Sequence, residues 1–122
     1  LVGRTVDLGR VWDILATVAT LRQSVRPGQP ETPVWVAGEG GDAILAAYAA
    51  LWCDDIAGVI AVNPPASHHA SDAPQFLNIL RVADVPVILG TLAPKPLTLI
   101  DNRGDVRPTV EKIYRAAGRE LR

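Results

Sequence analysis

Val34-Trp35-Val36-Ala37-Gly38-Glu39-Gly40-Gly41-Asp42-Ala43-Ile44-Leu45-Ala46-Ala47-Tyr48-Ala49-Ala50-Leu51-Trp52 is the stretch whose reading decides the fold. Its first four residues form a short apolar run of mainly strand-forming side chains that stops at glycines, as a strand buried on both faces does. Residues 43–52 are alanine-rich and apolar nearly all round, which predicts a well-buried helix with Asp42 favourably placed in its first turn. A strand that turns through glycines straight into a helix presents one side chain at the C-terminal edge of the sheet, backed by free backbone N–H groups. On this turn the presenting position is a glycine, Gly40.

Upstream, Val11, Ile14, Leu15, Val18 and Leu21 recur at the spacing of an amphipathic helix. Residues 22–33, with Pro27, Gly28, Pro30 and Pro33, sustain neither periodicity and read as a loop. Downstream, Asp54-Asp55 breaks the buried helix and Ile56-Ala57-Gly58-Val59-Ile60-Ala61-Val62 is a second buried strand, stopped by Asn63-Pro64-Pro65. Residues 66–73 read as a polar surface loop, and 74–80 as a short helix. In 84–93 the strand propensity of Val85-Pro86-Val87-Ile88-Leu89 competes with the helix-start signature of Asp84 and an early proline, and a short helix is favoured. Pro96-Leu97-Thr98-Leu99-Ile100 is a third strand, leading into the turn-rich loop 101–105. Pro108 then opens a helix marked by Val110, Ile113, Tyr114, Ala117 and Leu121, with basic residues in its last turns. The alternation implies a single α/β domain over 1–122: a three-layer parallel sheet with helices on both faces and right-handed crossovers.

Bulk properties narrow the function classes. Twelve basic against thirteen acidic residues leave a net charge of −1, which gives no field for nucleic acid or an anionic membrane. No apolar stretch approaches the roughly 20 residues needed to cross a bilayer, so no membrane span is expected. The lone Cys53 forms no internal disulfide, and the compartment is left open. The chain begins with Leu1 and its first residues lack a signal-peptide pattern, so an upstream segment is expected.

In α/β-hydrolases the strand–turn–helix is the nucleophile elbow, G-x-S-x-G, whose serine sits on a strained turn beside oxyanion-stabilising N–H groups. Gly38-Glu39 matches the usual Gly-Glu pair, Gly40 falls where serine belongs, and Asp42 replaces the last glycine. Leu92-Ala93-Pro94-Lys95-Pro96-Leu97-Thr98-Leu99-Ile100 resembles the "LAPRPLL" segment that enters the acid-bearing strand of acetyl-xylan-esterase and dienelactone-hydrolase-like families. Arg81-Val82-Ala83-Asp84-Val85-Pro86, Asn63-Pro64-Pro65-Ala66-Ser67 and Tyr114-Arg115-Ala116-Ala117-Gly118 are similar too, so the resemblance covers most of the chain from Gly3 onward. It implies a C-terminal half of a hydrolase domain, with Asp105 at the acid position and Gly40 as a vacant nucleophile position. The family's histidine lies beyond the acid, and no histidine follows Asp105.

Glycine has no side chain to attack a carbonyl, so the elbow argues against serine chemistry. Glu39 reads as a turn residue rather than a carboxylate nucleophile, and Asp105 has an equally plain reading as the polar end of the Gly104 turn. His68-His69 sits in a polar loop with no cysteine or carboxylate cluster at ligand spacing, which favours solvated histidines over a metal site. Ser67 lacks an elbow and Cys53 lacks a cationic neighbour to activate it. Gly38-x-Gly40-x-x-Ala43 also fits a dinucleotide fingerprint, but the next strand ends in Asn63 instead of the acidic residue that would hold a ribose. The expectation is therefore a degenerate hydrolase domain with no cofactor and no metal. The alternatives are an ester hydrolase completed by a missing segment or partner, and a nucleotide-binding module. Strand 34–37, apolar and without lysine or internal proline, is expected to pair with a missing N-terminal half or another chain, a homo-oligomer included.

Overall fold

The computed structural model describes residues 5–26, 28–76 and 79–122. Helix α1 (Val6–Gln23) begins at Thr5, whose side-chain oxygen accepts the Leu8 N–H at 3.2 Å, and Asp7 in its first turn complements the helix dipole. Sequence periodicity places the start later because the first turn is held by this cap, not by apolar side chains. Strand β1 (Val34–Glu39) runs through Gly40 into α2 (Gly41–Trp52), followed by β2 (Ile56–Val62), α3 (Val85–Gly90), β3 (Leu97–Ile100) and α4 (Arg107–Ala116). The helix read at 74–80 includes Leu77 and Asn78, outside the described residues, and the regular structure here is a single 3-10 turn, Ile79–Arg81. Asp84 caps α3 as its sequence signature predicts, its carboxylate accepting the Val85 N–H at 2.8 Å.

The sheet is parallel, in the order β1-β2-β3. Its register puts Val36, Val59 and Leu97 on one face with Gly38, Ala61 and Leu99. That face is the core side: Val59, Ala61, Leu97 and Leu99 are buried with the eight consecutive buried residues of α2, Ala43 to Ala50. Helix α2 packs on both β1 and β2, α1 and α3 pack on α2, and α4 packs on α3. The opposite face carries Trp35, Ala37 and Glu39, all exposed, then half-buried Ile60, Val62 and Thr98, and Ile100 at 44% exposure. Trp35 lies over Gly58, where a Cβ would meet the indole ring at 2.5 Å.

The two margins of the sheet differ. The last residue pairs along β3, the Leu99 N–H donating to the Arg122 carbonyl at 2.7 Å and the Arg122 N–H to the Leu97 carbonyl at 3.2 Å. Strand β1 pairs only with β2 among the described residues. Its other edge meets no strand among the described residues.

Lys95 ties the C-terminus of α2 to α4. Its ammonium donates to the carbonyls of Ala50 (2.7 Å) and Cys53 (3.0 Å), at the C-terminus of α2 where orphan carbonyls and the negative dipole end favour a cation. Tyr114 on α4 donates to the Lys95 carbonyl at 2.7 Å, and burial pushes the Tyr114 hydroxyl up to about 12. Lys95→Met keeps the aliphatic stem but removes both charge-assisted bonds, and is expected to lower stability by about 1.5–3 kcal/mol. Chemical denaturation compared with the wild-type chain measures it; an unchanged midpoint would mean these bonds do not hold the helix end.

Candidate functional site

The β1–α2 turn is built around three glycines with different constraints. Gly38 is required by close approach: a Cβ there would fall on the Asp42 carbonyl group and 2.6 Å from the Ala43 nitrogen. Gly40 has φ 58 and ψ −128, a backbone region open almost only to glycine. Its N–H donates to the Val62 carbonyl at 2.9 Å, and its carbonyl accepts from Ala43 at 3.2 Å. A Cβ on Gly40 would meet nothing within 4 Å, so the position faces open space, whereas one on Gly41 would meet the Asp72 carbonyl oxygen at 2.5 Å. The loop after β2 thus closes over the helix start beside Gly40. No side chain caps α2.

Charge in front of this turn is mostly negative. A cavity of about 260 Å³ is lined there by Glu39, Asp42, Asp72 and Asp7 together with Arg10. Arg10 already pairs with Asp7 at 3.5 Å, and Asp7 also accepts the Gln75 N–H at 2.7 Å. A pyrophosphate at this helix N-terminus would face those carboxylates, which weighs against the dinucleotide alternative.

At the end of β3 the structure separates two aspartates that the sequence leaves close. Asp105 is exposed. Asp101 is the anchored one, accepting backbone N–H groups from Gly104 (3.0 Å), Val106 (2.9 Å) and Arg107 (2.9 Å). Partial burial works to raise its carboxyl, but the backbone donors outweigh it and hold the group below the usual carboxylate range. Asp101 thereby secures the entry to α4, and Arg107 donates back to the Leu99 carbonyl. Asn63, at the end of β2 with φ 44, accepts the Asn102 N–H at 3.0 Å and joins the two strand ends.

A buried polar cluster lies elsewhere. His68, read from sequence as a solvated loop residue, is buried with its side chain only 2% exposed; His69 is the exposed one. His68 Nδ1 stands 3.0 Å from Asp84 Oδ1, and its Nε2 stands 3.4 Å from the Tyr48 hydroxyl. The His68 backbone N–H also donates to Asp84 at 2.7 Å. With Nδ1 protonated toward Asp84 and Nε2 accepting from Tyr48, every polar atom of the imidazole is used. Phe76 lies against Tyr48 at 4.5 Å between centroids with the rings tilted by 48°, and Trp52 and then Trp12 extend the aromatic cluster to the surface at 6.3 Å steps. The weak signal in the sequence was Tyr48 itself, a hydroxyl on an otherwise apolar helix that needs a buried partner.

This carboxylate–imidazole–hydroxyl series has the connectivity of a proton relay. Its terminus is unsuited to attack. Burial, and then the charge of Asp84, push the Tyr48 hydroxyl above the ordinary tyrosine value, so the phenol keeps its proton. For Asp84, burial acts upward, but the nearby Ser67 hydroxyl and the bonds from His68 and Val85 prevail and hold the carboxyl well below its usual range. Cys53 is half-buried, with its carbonyl taken by Lys95. Among the described residues no group of three His, Cys, Asp or Glu side chains is placed to hold a metal ion, and no helix is long and apolar enough to cross a membrane.

Together these features define an α/β chain with a parallel sheet and a glycine elbow that carries no side chain. Comparison with family models, with curated proteins and with solved structures finds no match to it.

Proposed function

We propose that the chain is a degenerate α/β-hydrolase-type domain, akin to acetyl-xylan-esterase and dienelactone-hydrolase-like proteins, that serves as a structural or binding unit. One observation carries the reading: Gly40 holds, at the strand-to-helix turn, a backbone conformation that would strain any other residue, and it faces open space without any side chain to act as nucleophile. The tight approach at Gly38 and the anchored loop after β3 agree with an elbow and an acid-strand loop, although the anchored carboxylate is Asp101 and the acid position by resemblance is Asp105. The uncovered sheet face and the open β1 edge are where a further helical layer and a neighbouring strand would complete a three-layer fold. An N-terminal half of the domain, or another chain, would supply them.

The test is covalent. A fluorophosphonate probe is expected to leave the chain unlabelled, and a short-chain nitrophenyl ester is expected to show no turnover above buffer. Stoichiometric labelling with turnover would replace this reading by the active ester hydrolase. Micromolar binding of NAD or FAD by calorimetry would replace it by the nucleotide module. Gly40→Ser is a second check on the turn, since its side chain has room while its backbone is strained. The variant is expected to fold with a loss of about 1–3 kcal/mol.

A further inference from the structure

We infer that the open edge of β1 is a docking site for an extended, aliphatic peptide segment that carries a basic residue two positions after its anchoring side chain. The inference rests on the proposal above only in taking β1 as a strand whose neighbour is supplied from elsewhere. It needs no ester chemistry.

The parity of the parallel ladder fixes which groups are on offer. Val59 and Asn63 donate to the strand on the β3 side, at Pro96 and Ile100, while the Val62 carbonyl receives Gly40 from the β1 side. In a parallel ladder alternate residues bond to opposite neighbours. Even-numbered residues of β1 therefore face β2. Trp35, Ala37 and Glu39 direct their N–H and C=O groups outward, and no backbone partner appears for them among the described residues.

A groove adjoins this edge. It measures about 480 Å³ and lies between α1, β1 and α2, with Ile14, Val36, Leu45 and Ala46 as its apolar floor. Ala37 also lines it although its Cβ belongs to the other sheet face, so its backbone reaches the groove. A strand added along β1 would seat one side chain beside Val36 in the groove and the next-but-one toward Gly38, because alternate side chains share a face. The groove's charged rim is Asp13, Asp42 and Arg10. Arg10 is engaged with Asp7, while Asp13 and Asp42 have no ion pair among the described residues. With two carboxylates on this rim against the single guanidinium of Arg10, itself drawn to Asp7, a lysine or arginine is favoured at that second position and an acidic residue there would be repelled. Val or Ile suits the anchor. On the opposite face, the intervening side chain of the added strand would lie against Trp35.

The experiment uses the whole chain and a fluorescein-labelled, end-capped decapeptide of alternating valine and threonine with one lysine two residues after a central valine. Anisotropy is expected to give micromolar binding, with nitrogen–proton spectra shifting the amides of Trp35, Ala37 and Glu39. Changing the peptide lysine to glutamate, or making Asp13→Asn with Asp42→Asn in the protein, is expected to weaken binding at least tenfold. N-methylation of alternate peptide amides is expected to abolish it. Equal affinity of the lysine and glutamate peptides, no binding at millimolar peptide, or shifts confined to other residues would each overturn the inference. So would a dimer in sedimentation that itself protects the 35, 37 and 39 amides, which would assign the edge to a second copy. None of these outcomes alters the fluorophosphonate result, so failure here and failure of the hydrolase reading are told apart.

Discussion

Gly38→Ala is expected to leave little folded protein, with a loss of about 3 kcal/mol or more. The added methyl meets the backbone of Asp42 and Ala43, atoms inside the first turn of a buried helix, and not the movable end of a side chain. Relief requires shifting α2 off β1 and β2, and α2 is the element on which α1 and α3 also pack. Against a total stability of 5–15 kcal/mol for a typical domain, such a loss is a large fraction. Urea titration followed by circular dichroism measures it. A Gly38→Ala midpoint within error of the wild type would mean the turn is looser than described, and the elbow geometry would fall with it.

The second large effect is expected at His68. His68→Ala leaves the Tyr48 hydroxyl buried without a partner, withdraws a donor from Asp84, and opens a void beside Phe76. These costs together amount to about 3 kcal/mol. The network also sets the pH window. The Asp84 and Asp101 carboxyls lie below their unfolded values, so their contribution is present at neutral pH and is lost as pH falls below the ordinary carboxylate value of about 3.9. Tyr48 and Tyr114 lie above theirs, so their contribution is present below about pH 10 and is lost as pH rises beyond it. The chain has two tyrosines, both of this kind. Absorbance at the tyrosinate band is therefore expected to stay low past pH 10 and then rise together with unfolding. Titration of either phenol at its ordinary value in the folded chain would contradict the burial of that residue.

What could be read from sequence followed from strong local signals. The apolar run 34–37, the alanine-rich helix, strand 56–62 and the Asp84 cap each carry periodicity or a capping residue, and each forms as expected. The weak places were those decided by tertiary contact. Whether His68 or His69 turns inward depends on Tyr48 and Asp84, twenty and sixteen residues away. Asp101 and Asp105 are indistinguishable as turn residues, and only the loop's path shows which one collects three N–H groups. Continuous apolar strands predict cover on both faces; here Trp35, Ala37 and Ile100 remain exposed. Their pattern records what a parallel sheet needs, and the described residues cover one side of it.

The placement of the tryptophans makes the protein its own optical reporter. There are three. Trp12 and Trp52 sit as a pair on α1 and α2, 55% and 54% exposed, while Trp35 stands alone on the uncovered sheet face over Gly58. An aqueous quencher such as iodide will reach the helical pair most readily. Coupling between those two indoles at 6.3 Å will give a near-ultraviolet dichroism band that disappears when α1 detaches from α2. Emission from Trp35 will shift to the blue when anything covers that face. A Trp12→Phe, Trp52→Phe background isolates this last signal, so occupation of the sheet can be followed in solution without a label.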